Sequence, residues 1–204
     1  MSPTVLSKIL GVDLQLCQED NPSRCALSDQ SGQYVLNEAG HLIGLNLFGN
    51  EGEEGRPALP PSQDWLPQLP HLQYLNLARC GLTSLDLQEH AEIKILFLQE
   101  NKSLTDLNLP TSFPDLLRAD LSHCALTRLT WPESPVLEFL NASRQRKKSL
   151  TDWSFATACP RLYFCDLSRN NLTNFELATG FVNLGFLCLE NNELTEVTLD
   201  GVLP

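Results

Sequence analysis

The chain has few of the features that mark a membrane protein, a secreted protein or an enzyme. No stretch of 18 apolar residues occurs anywhere in its 204 residues, which excludes a spanning α-helix. Met1 to Leu16 carry one lysine and no long apolar run, so this segment reads as neither a secretory leader nor an anchor. Basic residues are scarce: 14 Lys and Arg stand against 25 Asp and Glu, a net charge of -11. Binding dominated by phosphate contacts needs a basic footprint, so neither nucleic acid nor an anionic membrane is an expected partner. Seven cysteines, an odd number with no C-x-x-C pair, fit a reducing cytosol better than a disulfide framework, and a cytoplasmic location is expected. His41, His71, His90 and His123 are scattered without metal-ligand spacing, and no glycine-rich phosphate loop is present. His123, Asp120 and Ser122 share one segment, but nothing near them suggests oxyanion donors. No catalytic site, metal or cofactor is expected.

What the chain does have is a repeat. The frame L-x-x-L-x-L-x-x-N, or a close variant, begins at Leu42, Leu72, Ile93, Leu116, Leu137, Leu162 and Leu184, with start-to-start spacings of 30, 21, 23, 21, 25 and 22 residues. A second motif, L-T-x-[LWFV], follows in phase at Leu82, Leu104, Leu126, Leu150, Leu172 and Leu194. Each unit should contribute one short strand to a shared parallel sheet, with an extended segment leaving the Asn corner. Over residues 41–199 this resembles the leucine-rich repeat family. That resemblance implies an α/β right-handed solenoid, horseshoe or arc in shape, with the parallel sheet on its concave face and little regular helix on its convex face.

Residues 1–40 do not obey the repeat and are expected to form an N-terminal cap. Val5, Leu6, Ile9 and Leu10 have helical spacing after Ser2-Pro3, with Gly11 as a stop. Val12, Leu14 and Leu16 alternate as a strand would, and Gln33–Leu36 with His41–Leu45 read as a hairpin around the turn Asn37–Gly40. The repeats then fill 41–204 with seven strands, interrupted by an acidic, Gly- and Pro-rich insertion at 51–68 from which Trp65 and Leu66 should return to the body. Val197, Leu199, Val202 and Leu203 end the last repeat without a polar capping unit. The expectation is a piece of a longer protein, with self-association through that apolar end as the alternative. The stretch Y-x-L-N-E-x-G-x-[LIV]-x-G-L-N-L around the first repeat resembles the start of repeat domains in bacterial multidomain signalling proteins, including the Roco GTPase family.

Alternation along each strand turns positions four and six of the frame inward and projects three, five, seven and eight. An aromatic strip follows on the concave face: Tyr74, Phe139, Phe164 and Phe186 in column three, Phe97 in column five and Phe48 in column seven, beside Asp120, Asn141 and Asp166. Eight of the fourteen basic residues lie between 118 and 169, and Arg118, Arg144, Arg146, Lys147 and Arg169 are expected to form a basic rim. Exposed aromatics flanked by polar groups are common interface anchors, although a self-packing ladder would look the same in sequence. Cys80 and Cys124 stand at the Asn corner and Cys165 at a leucine position, so all three should be inert, while Cys188 should face outward. The expected function is protein recognition or scaffolding, as the ligand-sensing part of a larger bacterial signalling protein. Homotypic assembly and cis-regulation of a downstream GTPase or effector enzyme are the alternatives.

Overall fold

A computed structural model describes residues 1–17, 22–27, 30–49, 59–60, 62–146 and 149–200. The chain opens with α1 (Pro3–Leu10), β1 (Gln15–Leu16), α2 (Pro22–Leu27), β2 (Gln33–Leu36) and β3 (Leu42–Asn46). Ser2 caps α1 by accepting the Val5 N–H, and Gly11, left-handed at φ 66°, closes its other end onto the Ser7 carbonyl. Only Leu6 and Leu10 enter the core. Val5 and Ile9, expected on the same apolar stripe, are exposed, because the helix touches the body along one narrow edge. The strand expected from Val12 to Leu16 shortens to Gln15–Leu16, which pairs in parallel with β2. β2 and β3 form the antiparallel hairpin, with the Asn37 side chain accepting the His41 N–H across the turn.

From there strands alternate between two faces. The even-numbered β4 (Tyr74–Asn76), β6 (Ile95–Phe97), β8 (Arg118–Asp120), β10 (Phe139–Asn141), β12 (Phe164–Asp166) and β14 (Phe186–Cys188) extend the hairpin. Together with β1 to β3 they make one nine-stranded sheet, parallel everywhere except at the β2–β3 hairpin. On the opposite face lie β5 (Ser84–Asp86), β7 (Asp106–Asn108), β9 (Arg128–Trp131), β11 (Asp152–Phe155), β13 (Asn174–Leu177) and β15 (Glu196–Leu199). These are the second-motif segments, and they pair in twos into three small parallel sheets. The protein is a parallel β-solenoid with little helix.

Register follows the sequence frame without a slip: Gly44, Tyr74, Ile95, Arg118, Phe139, Phe164 and Phe186 lie side by side in successive strands. A shift of one residue would turn every inward leucine to solvent, so the apolar period itself fixes the pairing. The inward column Leu45, Leu75, Leu96, Ala119, Leu140 and Cys165 is buried and joins one continuous core. Trp65 and Leu66 also enter that core, and the buried His90 ring bonds the Leu66 carbonyl at 3.1 Å, which fixes the return of the insertion. Burial lowers the His90 pKa, so the ring is held neutral. The acidic part of the insertion, with Glu51, Glu53 and Glu54, lies outside the described residues, as do Asn50, Val202, Leu203 and Pro204.

The corners are held by buried carboxamides. Asn101 accepts the Cys80 and Leu82 N–H groups, both at 3.0 Å, and donates to the carbonyls of Leu77 and Leu98. Asn170 and Asn192 repeat the arrangement, and Gln145 substitutes for an Asn by donating to Leu121 and Ala142 while accepting from Leu126. Cys80 and Cys124 keep one strand of the pattern, their thiols donating to the Leu47 and Leu98 carbonyls of the preceding turn.

Two measurements follow. Asn101→Ala removes a side chain that satisfies four buried main-chain groups, so denaturation should show a loss on the order of 3 kcal/mol, against roughly 1 kcal/mol for Cys124→Ala. Equal losses would mean that the corner amide is not the stronger tie. Burial pushes the Cys124 and Cys159 thiols up to about 12 and the Cys165 thiol higher still, whereas Cys188 and Cys17 are partly exposed. A brief alkylation pulse read by mass spectrometry should label Cys188 and Cys17 first and leave Cys80, Cys124, Cys159 and Cys165 untouched.

Candidate functional site

The outer face of the nine-stranded sheet is divided in two. Over its first half lies α2, a helix with no signature in the apolar periodicity, which rests against β3, β4 and β6. The Cys25 carbonyl accepts from the Asn46 side chain at 2.7 Å, and Cys25 packs with Val35, Ile43 and Tyr74. Beneath and beside it Ile95 and Phe97 are buried, at 4% and 8% exposure, with Tyr74 packed on them. Phe97, expected on an open strip, is therefore covered, and Tyr74 is half-covered. The physical reason is that the chain's own N-terminal segment lies against this hydrophobic face and withdraws it from water.

The second half is open and carries a stack. The Phe139 and Phe164 rings lie 4.7 Å apart and 4° from parallel, Phe164 and Phe186 4.7 Å apart and 3° from parallel, and the Arg118 guanidinium sits 4.7 Å over Phe139. Strand spacing in a sheet is about 4.8 Å, so in-register pairing alone places four flat groups at stacking distance. Phe139 and Phe164 are half-buried within the stack, and Arg118 and Phe186 at its ends are exposed, Phe186 to 45%.

Beside this stack is an open groove of about 490 Å³. Phe139, Phe164 and Tyr163 wall it, Arg118 and Arg161 supply two positive charges, and Glu138 supplies one negative charge. Tyr163 is 63% exposed and its ring lies over Gly185, where an added Cβ would meet it at 2.3 Å. Glu138, Tyr163 and Gly185 all occupy position two of the frame, a column that the inward and outward alternation of the strand did not single out. It was legible in the same alignment, one residue before the aromatics.

At the other end of the strands, position eight is left-handed in every turn: Gly49, Arg79, Glu100, His123, Arg144, Arg169 and Asn191 have φ between 54° and 76°. In the first half Arg79 pairs with Glu100 at 3.6 Å and lies over the Phe48 ring. In the second half His123, Arg144 and Arg169 are exposed, with no carboxylate in ion-pair reach among the described residues. Arg146 is turned away from them and donates to the Lys102 carbonyl. Lys147, also expected in the basic rim, lies outside the described residues.

Between these columns stand Asp120, Asn141 and Asp166, each half-buried. Each uses one oxygen to accept the N–H two residues on, at Ser122, Ser143 and Ser168, which closes the turn into position eight. Asn141 also donates to the second oxygen of Asp120, and burial raises the Asp120 pKa despite these bonds. They therefore shape the face as well as line it. Among the described residues there is no group of three or more side chains suited to a metal ion, and no helix long and apolar enough to cross a membrane.

No family model and no solved structure matches the chain. Over 178 residues, 86% of its length, it is 35% identical to a protein named Roc-COR-CHAT protease from an unknown prokaryotic organism, of which it spans 16%. The chain is thus related to a Roco-type multidomain protein, as the stretch around its first repeat suggested.

Proposed function

We propose that the chain is a leucine-rich repeat recognition module of a larger cytosolic bacterial signalling protein, and that it binds a protein ligand through the open half of its concave face. The observation that carries this reading is the stack of Arg118, Phe139, Phe164 and Phe186, half-buried at its centre and exposed at its ends. Stacking alone is worth about 0.2–1 kcal/mol per pair and does not require exposure. The aromatic surface beside α2 is covered by the chain itself, and the aromatic surface beyond it is left open and flanked by charge. Rigid aromatics with an adjoining groove are the usual anchors of an interface. In this reading the module recognises a partner and acts in cis on the other parts of such a protein.

A second reading, self-association through the last turn, is favoured by Val197 and Leu199, which are 45% and 41% exposed. Light scattering over a range of concentrations separates the two, since a ligand-binding module keeps its mass while an assembly module gains it.

Phe139→Ala, Phe164→Ala and Phe186→Ala should each weaken capture of partner protein, with the central Phe164 costing most, about 2 kcal/mol. Their melting should shift little, whereas the core control Leu167→Ala should lose about 2–5 kcal/mol of stability while its remaining folded fraction still binds. Titration of each variant beside a thermal melt makes the comparison. Unchanged binding in all three Phe variants would remove this face from consideration.

A further inference from the structure

The ligand's chemistry can be read from what the open half leaves unpaired, and this step rests on the recognition reading above. His123, Arg144 and Arg169 donate their N–H groups to the carbonyls of Ser143, Ser168 and Glu190, so they occupy the same point of three consecutive turns. At a strand spacing of about 4.8 Å they form a column about 10 Å long that holds one imidazole and two guanidiniums. A chain with a net charge of -11 has carboxylates to spare, and it pairs Arg79 at the equivalent point of the covered half with Glu100. The two arginines of the open half, Arg144 and Arg169, have no carboxylate in ion-pair reach among the described residues, and His123 continues their column. Across the strands, the groove holds two guanidiniums against one carboxylate, and its aromatic walls and volume suit a flat side chain. Between the two, Asp166 commits one oxygen to its own turn, which leaves the other as an acceptor for an N–H group of an extended chain, while Asp120 is held by Ser122 and Asn141.

We infer that the open half of the sheet takes an acidic peptide segment carrying one aromatic residue, its ring in the groove beside Phe139, Phe164 and Tyr163 and its carboxylates along His123, Arg144 and Arg169. A nucleic acid fits the same surface poorly, because Asp120, Asp166 and Glu190 lie inside the face and would oppose a continuous phosphate backbone. A peptide can keep its charge at one edge.

The experiment selects displayed random peptides on the immobilised chain at low salt and titrates the enriched sequences as synthetic peptides. The expected winners are acidic with one aromatic. Their Kd should rise roughly tenfold or more with Phe164→Ala, and similarly with Arg144→Glu and Arg169→Glu combined, while Arg144→Lys with Arg169→Lys retains most affinity. Charge reversal is tolerable to the fold at this point of the turn, since Glu100 occupies it at φ 63°. Gly185→Ala, which displaces the Tyr163 ring without touching a charge, should also weaken the aromatic-containing peptides. Enriched peptides that are sensitive to Phe164→Ala but neutral or basic would overturn the acidic ligand and leave the interface standing. If no enriched peptide responds to Phe164→Ala, both fall. Tighter binding of a short oligonucleotide or of inorganic polyphosphate than of any peptide would make the column a phosphate site and overturn the inference.

Discussion

At each corner of the solenoid the main chain turns where its N–H and C=O groups are buried and have no strand partner, and the carboxamides of Asn101, Asn170 and Asn192 supply both a donor and an acceptor there. Leaving such a group unmade costs about 1–3 kcal/mol, and a corner has several. Each carboxamide also bonds the preceding turn, so it ties the vertical stacking of turns to the local fold of one. The tie thereby reinforces the phase that the apolar period sets for the strand register, the leucine column and the outward columns. The Cys and Gln substitutions show what can be relaxed: a thiol keeps one bond to the turn before, and the longer Gln145 side chain keeps both donations and one acceptance.

With phase fixed, function depends on what each column leaves uncovered. The same face presents aromatics and charges in both halves, and the difference is made by a six-residue helix and by one ion pair. Beside α2 the apolar side chains are withdrawn from water and the position-eight charges neutralise each other. Beyond it the rings stack with no helix over them, and Arg144 and Arg169 have no carboxylate in ion-pair reach among the described residues. A single architecture thus contains a covered part and an uncovered part, separated by where the N-terminal segment ends its contact.

The repeat strands, their register and the second row of extended segments were legible in the sequence because they obey a strict apolar period with a polar corner residue at fixed distance. The hairpin around Asn37–Gly40 was legible from turn chemistry. The helix α2 was not, since Pro22–Leu27 is too short to show a period, and its effect on Phe97 and Tyr74 is a tertiary one. Alternation alone placed Phe97 outward, and on that face it is buried beside Ile95 and Tyr74 rather than left in water. The stack of Arg118, Phe139, Phe164 and Phe186 could be read as a column, but not its planarity, which depends on side-chain rotamers. The groove was missed because it draws on position two, where the chain enters the strand and alternation carries no signal.

The rings of Phe139, Phe164 and Phe186 lie 3–4° from parallel, whereas neighbouring strands in an ordinary sheet are rotated by about 20–25°. The ring planes therefore hold a common orientation that strand pairing alone would not give, each ring sitting one strand spacing beyond the last. Such a row lengthens by one ring for every turn that carries an aromatic at position three, and shortens by the same step when one is lost. Its length is set by the number of such turns, separately from the chemistry of the other columns.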